Sequence, residues 1–136
     1  MSFDEMMKIS ASAMQAQATR LRTISENLAN AGSTAQTAGG DPYRRKLVTF
    51  RDQLERASGI HTVRIGRVIQ DQTPFSLRYN PGHPAADAQG YVKYPNVNSV
   101  IELNDLREAQ RSYDANVNVI DVAKTMLSRT IDLLKT

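Results

Sequence analysis

Met7, Met14, Leu21 and Leu28 stand seven residues apart, a spacing that keeps every member on one face of an α-helix. Phe3, Ile24 and Ala31 lie three or four positions away and widen the stripe. A second stripe at the other end, Leu106, Tyr113, Ile120, Leu127 and Leu134, has the same spacing and is reinforced by Leu103, Val117 and Ile131. Everything that reads as strand, turn or proline-rich loop falls between the two. A chain arranged this way has its packing surfaces at its ends, which points to assembly with other helices and away from a one-site enzyme.

The helix boundaries are marked locally. Ser2 followed by Glu5 has the form of a capping box, in which each side chain satisfies the other's free N–H. No Pro or Gly then interrupts the chain until Gly32, and Ala11, Ala13, Ala16, Ala18, Ala29 and Ala31 let another backbone approach closely. Ser99 with Glu102 repeats the pattern after the turn-like Tyr94–Asn98, and the following run reaches almost to the end. At 1.5 Å per residue the helices measure roughly 40 and roughly 50 Å. Arg22 with Glu26, Glu108 with Arg111, and Asp121 with Lys124 are spaced for surface ion pairs, each worth about 0.2–0.5 kcal/mol.

Residues 32–40, GSTAQTAGG, form a polar connector that Asp41–Pro42 ends. Tyr43–Phe50 and Ile60–Ile69 have strand character, with a bulge or bend expected at Gly66. Phe75, Leu77 and Tyr79 alternate with polar residues and predict a half-buried strand, and Tyr91–Tyr94 a short extended piece. One small antiparallel sheet accommodates these segments. The expected class is α+β: two long antiparallel terminal helices, residues 1–31 and 99–136, joined by a connector and β-rich middle over residues 32–98. With 136 residues, the chain has room for one core of ordinary size.

Little in the sequence supports chemistry. There is no cysteine, which removes thiol catalysis, thiolate metal sites and disulfides. His61 and His83 fall in different elements, so a surface or turn-supporting role is expected for each, and neither metal nor cofactor is called for. Ser10, Ser12, Thr19 and Ser25 lie on a helix with no base beside them. Glu102, Asp105 and Glu108 share a face with Arg107 and Arg111, as a salt-bridged surface would. Gly39–Gly40 lacks the spacing of a phosphate loop. Arg44, Arg45 and Lys46 between Tyr43 and Phe50 suit a neighbouring protein better than nucleic acid, because the net charge is only +3 and Asp41, Asp52 and Glu55 dilute the patch. Asn27 and Asn30 are suited to bond backbone groups, either as a local helix cap or by fixing how the chain leaves the helix. No run is long and apolar enough to span a bilayer, and acidic Asp4 and Glu5 are unlike a cleavable signal's positive start.

The residues also carry a likeness. Ala13-Met14, Arg20, Ile24-Ser25, Asn27-Leu28-Ala29-Asn30-Ala31 and Ser33-Thr34 resemble the signature of bacterial flagellar rod and hook proteins. Pro42-Tyr43-Arg44-Arg45-Lys46, Pro81-Gly82-His83-Pro84, Gly90–Asn98, Ala109, Arg111, Tyr113 and Ala115-Asn116 resemble the proximal-rod branch of that family. Asp41, where many members place Gly directly before Pro, and Leu103, often Met, depart from it. The resemblance implies a structural subunit of the basal body. Such a subunit is exported by the flagellar type III apparatus without a cleavable signal. It assembles in the periplasmic space into a helical tube with copies of itself, other rod proteins and the MS-ring and export-gate region. The expected assembly residues are Met7, Met14, Leu21, Ile24, Asn27, Leu28 and Asn30 on the first helix, and Leu106, Tyr113, Val117, Ile120, Leu127, Ile131 and Leu134 on the second. Tyr43, Arg44, Arg45 and Lys46 are the expected contacts of the middle. The alternatives are another oligomerising adaptor or structural module, and a weak nucleic-acid binder acting through Arg44–Lys46.

Overall fold

The computed structural model describes residues 1–135. Two helices, α1 (Phe3–Ala29) and α2 (Ser99–Leu134), enclose four strands in the chain: β1 (Lys46–Glu55), β2 (Ile60–Gln70), β3 (Ser76–Tyr79) and β4 (Tyr91–Tyr94). The class is α+β, as expected. The strands form two separate two-stranded sheets, β1–β2 and β3–β4, where a single sheet was expected.

The first cap forms as read. Ser2 donates its N–H to the Glu5 carboxylate at 2.8 Å and its hydroxyl oxygen accepts the Glu5 N–H at 3.2 Å. The second does not. Asn98, one residue earlier, caps α2 by accepting the N–H of Val100 at 3.0 Å and of Ile101 at 3.4 Å, a role that Asn fills as well as Ser. Glu102 is fully buried and turned toward Arg45. A guanidinium outcompetes a backbone N–H for a carboxylate.

The chain divides into two compact units, the first comprising Met1–Leu21, Thr49–Arg67 and the chain from Arg107 onward, the second Arg22–Val48 and Val68–Leu106. In the first unit the helices run antiparallel. Arg20 pairs with Glu108 at 3.6 Å, while Met1, Phe3 and Met6 share a cavity of about 310 Å³ with Ala123, Met126, Leu127 and Thr130. Glu26 and Glu108, expected to pair within their own helices, instead reach Lys46 and Arg20. Between β1 and β2, the Ser58 and Gly59 N–H groups both bond the Glu55 carbonyl. Gly59 adopts φ +70°, a conformation glycine takes without strain. At Gly66 strand β2 continues. A side chain there would meet Arg51 and Thr49 within 3 Å, and the Thr49 hydroxyl brackets Arg67, accepting its N–H and donating to its carbonyl.

In the second unit, β3 pairs antiparallel with β4 in the register Leu77↔Lys93, Arg78↔Val92 and Tyr79↔Tyr91. Strand β3 is exposed throughout rather than half-buried, and the apolar anchor is Val92 on β4, which is fully covered. Leu77 and Tyr79 share their face with Lys93 and Tyr91, so the period-2 pattern on β3 marks a face directed to solvent. The Tyr79 and Tyr91 rings meet edge-on at 5.4 Å. Gly90, at φ +86°, lies where a side chain would strike the Tyr79 ring.

The fully buried apolar side chains are few and mostly small: Ala16, Ala109 and Ala123 in the first unit, Ile24, Ala85 and Val92 in the second. On α2, Ala109 and Ala123 belong to the row Glu102, Ala109, Asn116, Ala123, Thr130, adjacent to the row of large residues singled out in the sequence. Small side chains occupy the contact because they allow closer helix approach.

Candidate functional site

The first unit carries an apolar helical surface that the chain itself does not cover. Met7, Met14, Leu21, Tyr113, Val117 and Ile120 are half-buried, whereas Leu127, Ile131 and Leu134 are exposed. They are joined by residues outside either stripe: Val119, Val122, Met126 and Leu133 are also exposed, Leu133 at 76 %. From Val117 onward α2 therefore has one broad apolar face opposite a polar one that carries Asn118, Asp121, Lys124, Thr125, Ser128, Arg129 and Asp132, the pattern of a helix with a packing face. Sequence reading by a single seven-residue row missed Val119, Val122, Met126 and Leu133. Counting apolar residues around the whole helix circumference finds them.

The second unit is centred on polar groups. Asn27, at the end of α1, is fully buried. Its carboxamide oxygen accepts the Tyr43 hydroxyl at 2.7 Å and the Lys46 N–H at 2.9 Å, while its NH₂ donates to the Lys46 carbonyl at 2.9 Å and to Glu102 at 3.3 Å. It acts on Lys46 as a neighbouring strand would. Asn96 serves Arg45 in the same manner, accepting its N–H at 2.8 Å and donating to the carbonyls of Asp71 and Thr73. The Arg45 carbonyl receives the Asp71 N–H at 2.8 Å. Every backbone polar group of Arg45 and Lys46 thus has a partner, which is required of a strand start covered by a helix end.

The Arg45 guanidinium binds Glu102, Asp71 at 3.2 Å and Asp105 at 3.5 Å. Burial works against its charge, but the bonds and charges of Glu102 and Asp71 outweigh that cost and raise its pKa. The Thr73 hydroxyl and N–H, joined by Arg45, hold the Asp71 carboxyl below its usual value. Burial, reinforced by the nearby charges of Glu26 and Glu102, pushes the Tyr43 hydroxyl up to about 12, so it stays a neutral donor at any ordinary pH. Lys46 reaches Glu26 at 2.6 Å. Arg44 lies 4.2 Å over the Phe75 ring and donates to the Asp71 carbonyl. All four residues expected to face a neighbour therefore have partners inside the chain. Tyr43, Arg44 and Lys46, but not Arg45, nevertheless border an open groove of about 590 Å³ that also includes Asn30, Asp41, Pro42 and Gln70. Leu28 and Leu106 are half-buried in this unit, and Ile24 is fully covered.

The two asparagines divide the roles expected of them. Asn30 is the local cap, donating to the Glu26 carbonyl and accepting the Ser33 hydroxyl. Asn27 is the long-range one. His83 braces its own turn by accepting the Ala85 N–H at 3.0 Å, and exposed His61 meets Asp52. Sequence reading treated Glu102 and Asp105 as helix-surface residues and singled out nothing at Asp71. Their shared partner, Arg45, is distant in sequence and leaves no periodic signal.

Comparison with known proteins agrees at both ends and along the whole length. Residues 7–35 match the family described as "Flagella basal body rod protein", and residues 88–133 match "Flagellar basal body rod FlgEFG protein C-terminal". Among full-length relatives, the "Flagellar basal-body rod protein FlgC" of Agrobacterium fabrum is 52 % identical over 94 % of this chain and 92 % of its own. The protein of the same name from Escherichia coli O6:H1 is 46 % identical over 92 % of each chain. That from Bacillus subtilis is 36 % identical over 95 % of this chain and 96 % of its own. The chain belongs to the FlgC family of flagellar basal-body rod proteins.

Proposed function

We propose that this chain is a load-bearing subunit of the flagellar proximal rod, with its terminal helices packed among those of neighbouring subunits in the wall of the tube. The observation that carries this reading is the distribution of size along α2. Alanines occupy the covered row, while Val119, Val122, Met126, Leu127, Ile131 and Leu133 are left to water. Covering one of these side chains fully contributes about 1.5–3 kcal/mol, so the surface has much to gain from neighbouring helices. Copies of the chain, other rod proteins and the MS-ring and export-gate region are the proposed neighbours, reached after export through the type III apparatus into the periplasmic space. The chain transmits torque and carries out no catalysis in this role.

The half-buried residues Met7, Met14, Leu21, Leu28, Leu106, Tyr113, Val117 and Ile120 complete the proposed interface, with Ile24, Asn27 and Asn30 shaping the α1 end and Leu127, Ile131 and Leu134 the α2 end. Tyr43, Arg44 and Lys46, on the wall of the open groove, are its proposed middle contacts. Arg45 contributes by holding them in place. Deleting the gene tests the reading: loss of motility with export halted at an early rod stage is expected, and normal flagella on the deletion strain would overturn it.

A further inference from the structure

We infer that Asn27 is the residue that sets the register of α1 on α2. Connectivity does not set it. Residues 30–45 separate the two elements α1 and β1, and a connector of that length reaches much farther, at roughly 3.3 Å per residue, than the helix would need to slide. Apolar packing sets it weakly. Besides Ile24, the α1 residues fully buried are Ser10, Ala16, Thr23 and Asn27, and the apolar ones of α2 are Ala109 and Ala123. The buried apolar side chains that α2 contributes are alanines alone, so the seam has few large knobs to hold one alignment.

Asn27 supplies what the alanines do not. Its carboxamide satisfies both main-chain groups of Lys46, accepts the Tyr43 hydroxyl and donates to the fully buried Glu102. Lys46 begins β1 and Glu102 lies in the first turn of α2, so one side chain ties the end of α1 to two other elements at once. A slip of seven residues would carry Asn27 about 10 Å along the axis, stranding the Lys46 N–H and carbonyl and removing a donor from Glu102. Buried groups left without partners disfavour every alignment but one. A buried polar residue that selects register in a helical seam is a known use of such groups.

The chain has no cysteine, so spin labels can be placed on Ser25→Cys and Asn104→Cys, both at exposed positions, in the full-length protein. Pulsed electron paramagnetic resonance should give one distance for the otherwise unaltered chain. In Asn27→Ala a second, resolved distance is expected, arising from chains in which α1 has slid about 10 Å along its axis. Ile24→Ala, which removes apolar packing on the same turn, should lower the melting temperature yet keep the single distance. An unchanged single distance in Asn27→Ala would overturn the inference, as would a second population in Ile24→Ala of equal size. If Asn27→Ala loses its helical circular dichroism, Asn27→Asp takes its place. It keeps the acceptor for Lys46 and Tyr43 while opposing Glu102, and the displaced population is again expected. Loss of helix in both variants would make Asn27 a condition of folding rather than of register and would equally overturn it.

Discussion

Around Arg45 a half-buried guanidinium meets the buried Glu102 carboxylate and the buried Asn27 carboxamide, each satisfied by the others or by nearby backbone. Along Ala16, Ala109 and Ala123 the buried groups are methyls, and the large apolar side chains of the same helices stay partly or wholly in water. The polar centre of the second unit is satisfied within the chain, and the first unit has a covered inner row and an uncovered outer one. The difference teaches where this protein satisfies its own buried groups and where it leaves apolar surface that the proposed assembly would cover. Paired polar groups specify a single local arrangement without needing a neighbour, while exposed large apolar surface is held in reserve for one.

The largest effect that would break this contrast is at the ion cluster. Glu102→Ala leaves the Arg45 guanidinium with Asp71 and Asp105 but without its fully buried partner, and severing a buried pair costs about 3–5 kcal/mol. Arg45→Ala should cost a similar amount because it leaves the buried Glu102 carboxylate without its cation, bonded only by the Asn27 NH₂. Urea unfolding followed by circular dichroism measures it. A loss under about 1 kcal/mol would mean that this cluster is as dispensable as a surface ion pair, and that the second unit is not held by it.

Asn27→Ala comes next. It leaves the Lys46 N–H and carbonyl unpaired beneath α1, where unsatisfied groups cost about 1–3 kcal/mol. Asn30→Ala removes only a bond to the Glu26 carbonyl and one to Ser33, so it should cost clearly less. Equal losses in the two variants, read from the same unfolding curves, would erase the distinction between local cap and long-range tie.

These positions also mark how far the sequence could be read. The existence, type and approximate limits of both helices follow from heptad spacing, the Ser2–Glu5 box and the absence of Pro and Gly, all of which are local. So do the strand segments, with Tyr43–Arg45 wrongly included because their aromatic and basic residues look like an edge strand. What could not be read were partnerships across the chain. Glu102 fits a capping box by spacing, and only its distant partner Arg45 explains why Asn98 caps α2 instead. Size misled in the seam as well: the large residues at seven-residue spacing draw attention, whereas close helix approach favours the neighbouring alanine row. The family likeness was legible because its motifs are contiguous.

A smaller effect is expected from Tyr43→Phe, about 1 kcal/mol for the lost bond to Asn27, with a distinctive pH dependence. A free tyrosine ionises near pH 10, and in the folded chain Tyr43 holds its proton up to about 12. Its stabilisation is therefore fully present below pH 10 and declines as pH rises from 10 toward 12, where the unfolded chain has released a proton that the folded one retains. Tyr43→Phe should flatten that decline. At the acid end the sign reverses. Asp71, whose pKa is lowered, stabilises above the usual carboxylate value, and that contribution is lost as pH falls through the folded-state value. Identical alkaline slopes in the two proteins would remove Tyr43 from the buried centre.

The smallest effect on the isolated chain is expected where the effect on the rod should be greatest. Val122→Ser, Met126→Ser and Leu133→Ser alter side chains that are 58, 59 and 76 % exposed, and substitutions at such positions usually change stability within about 0.5 kcal/mol. If these side chains are the reserve for neighbouring helices, each variant should unfold at nearly the urea concentration of the parent and yet fail to restore motility to a strain lacking the gene. Ala123→Ser, on the covered row of the same helix, supplies the opposite pattern: a hydroxyl placed in a buried apolar contact lowers the chain's own stability. Motility restored fully by the three exposed-row variants, expressed at the parent's level, would show that the outer face of α2 is simply solvated. Restoration by none of them, with unchanged unfolding, would separate assembly from folding along a single helix whose covered alanines and uncovered large residues lie on different rows.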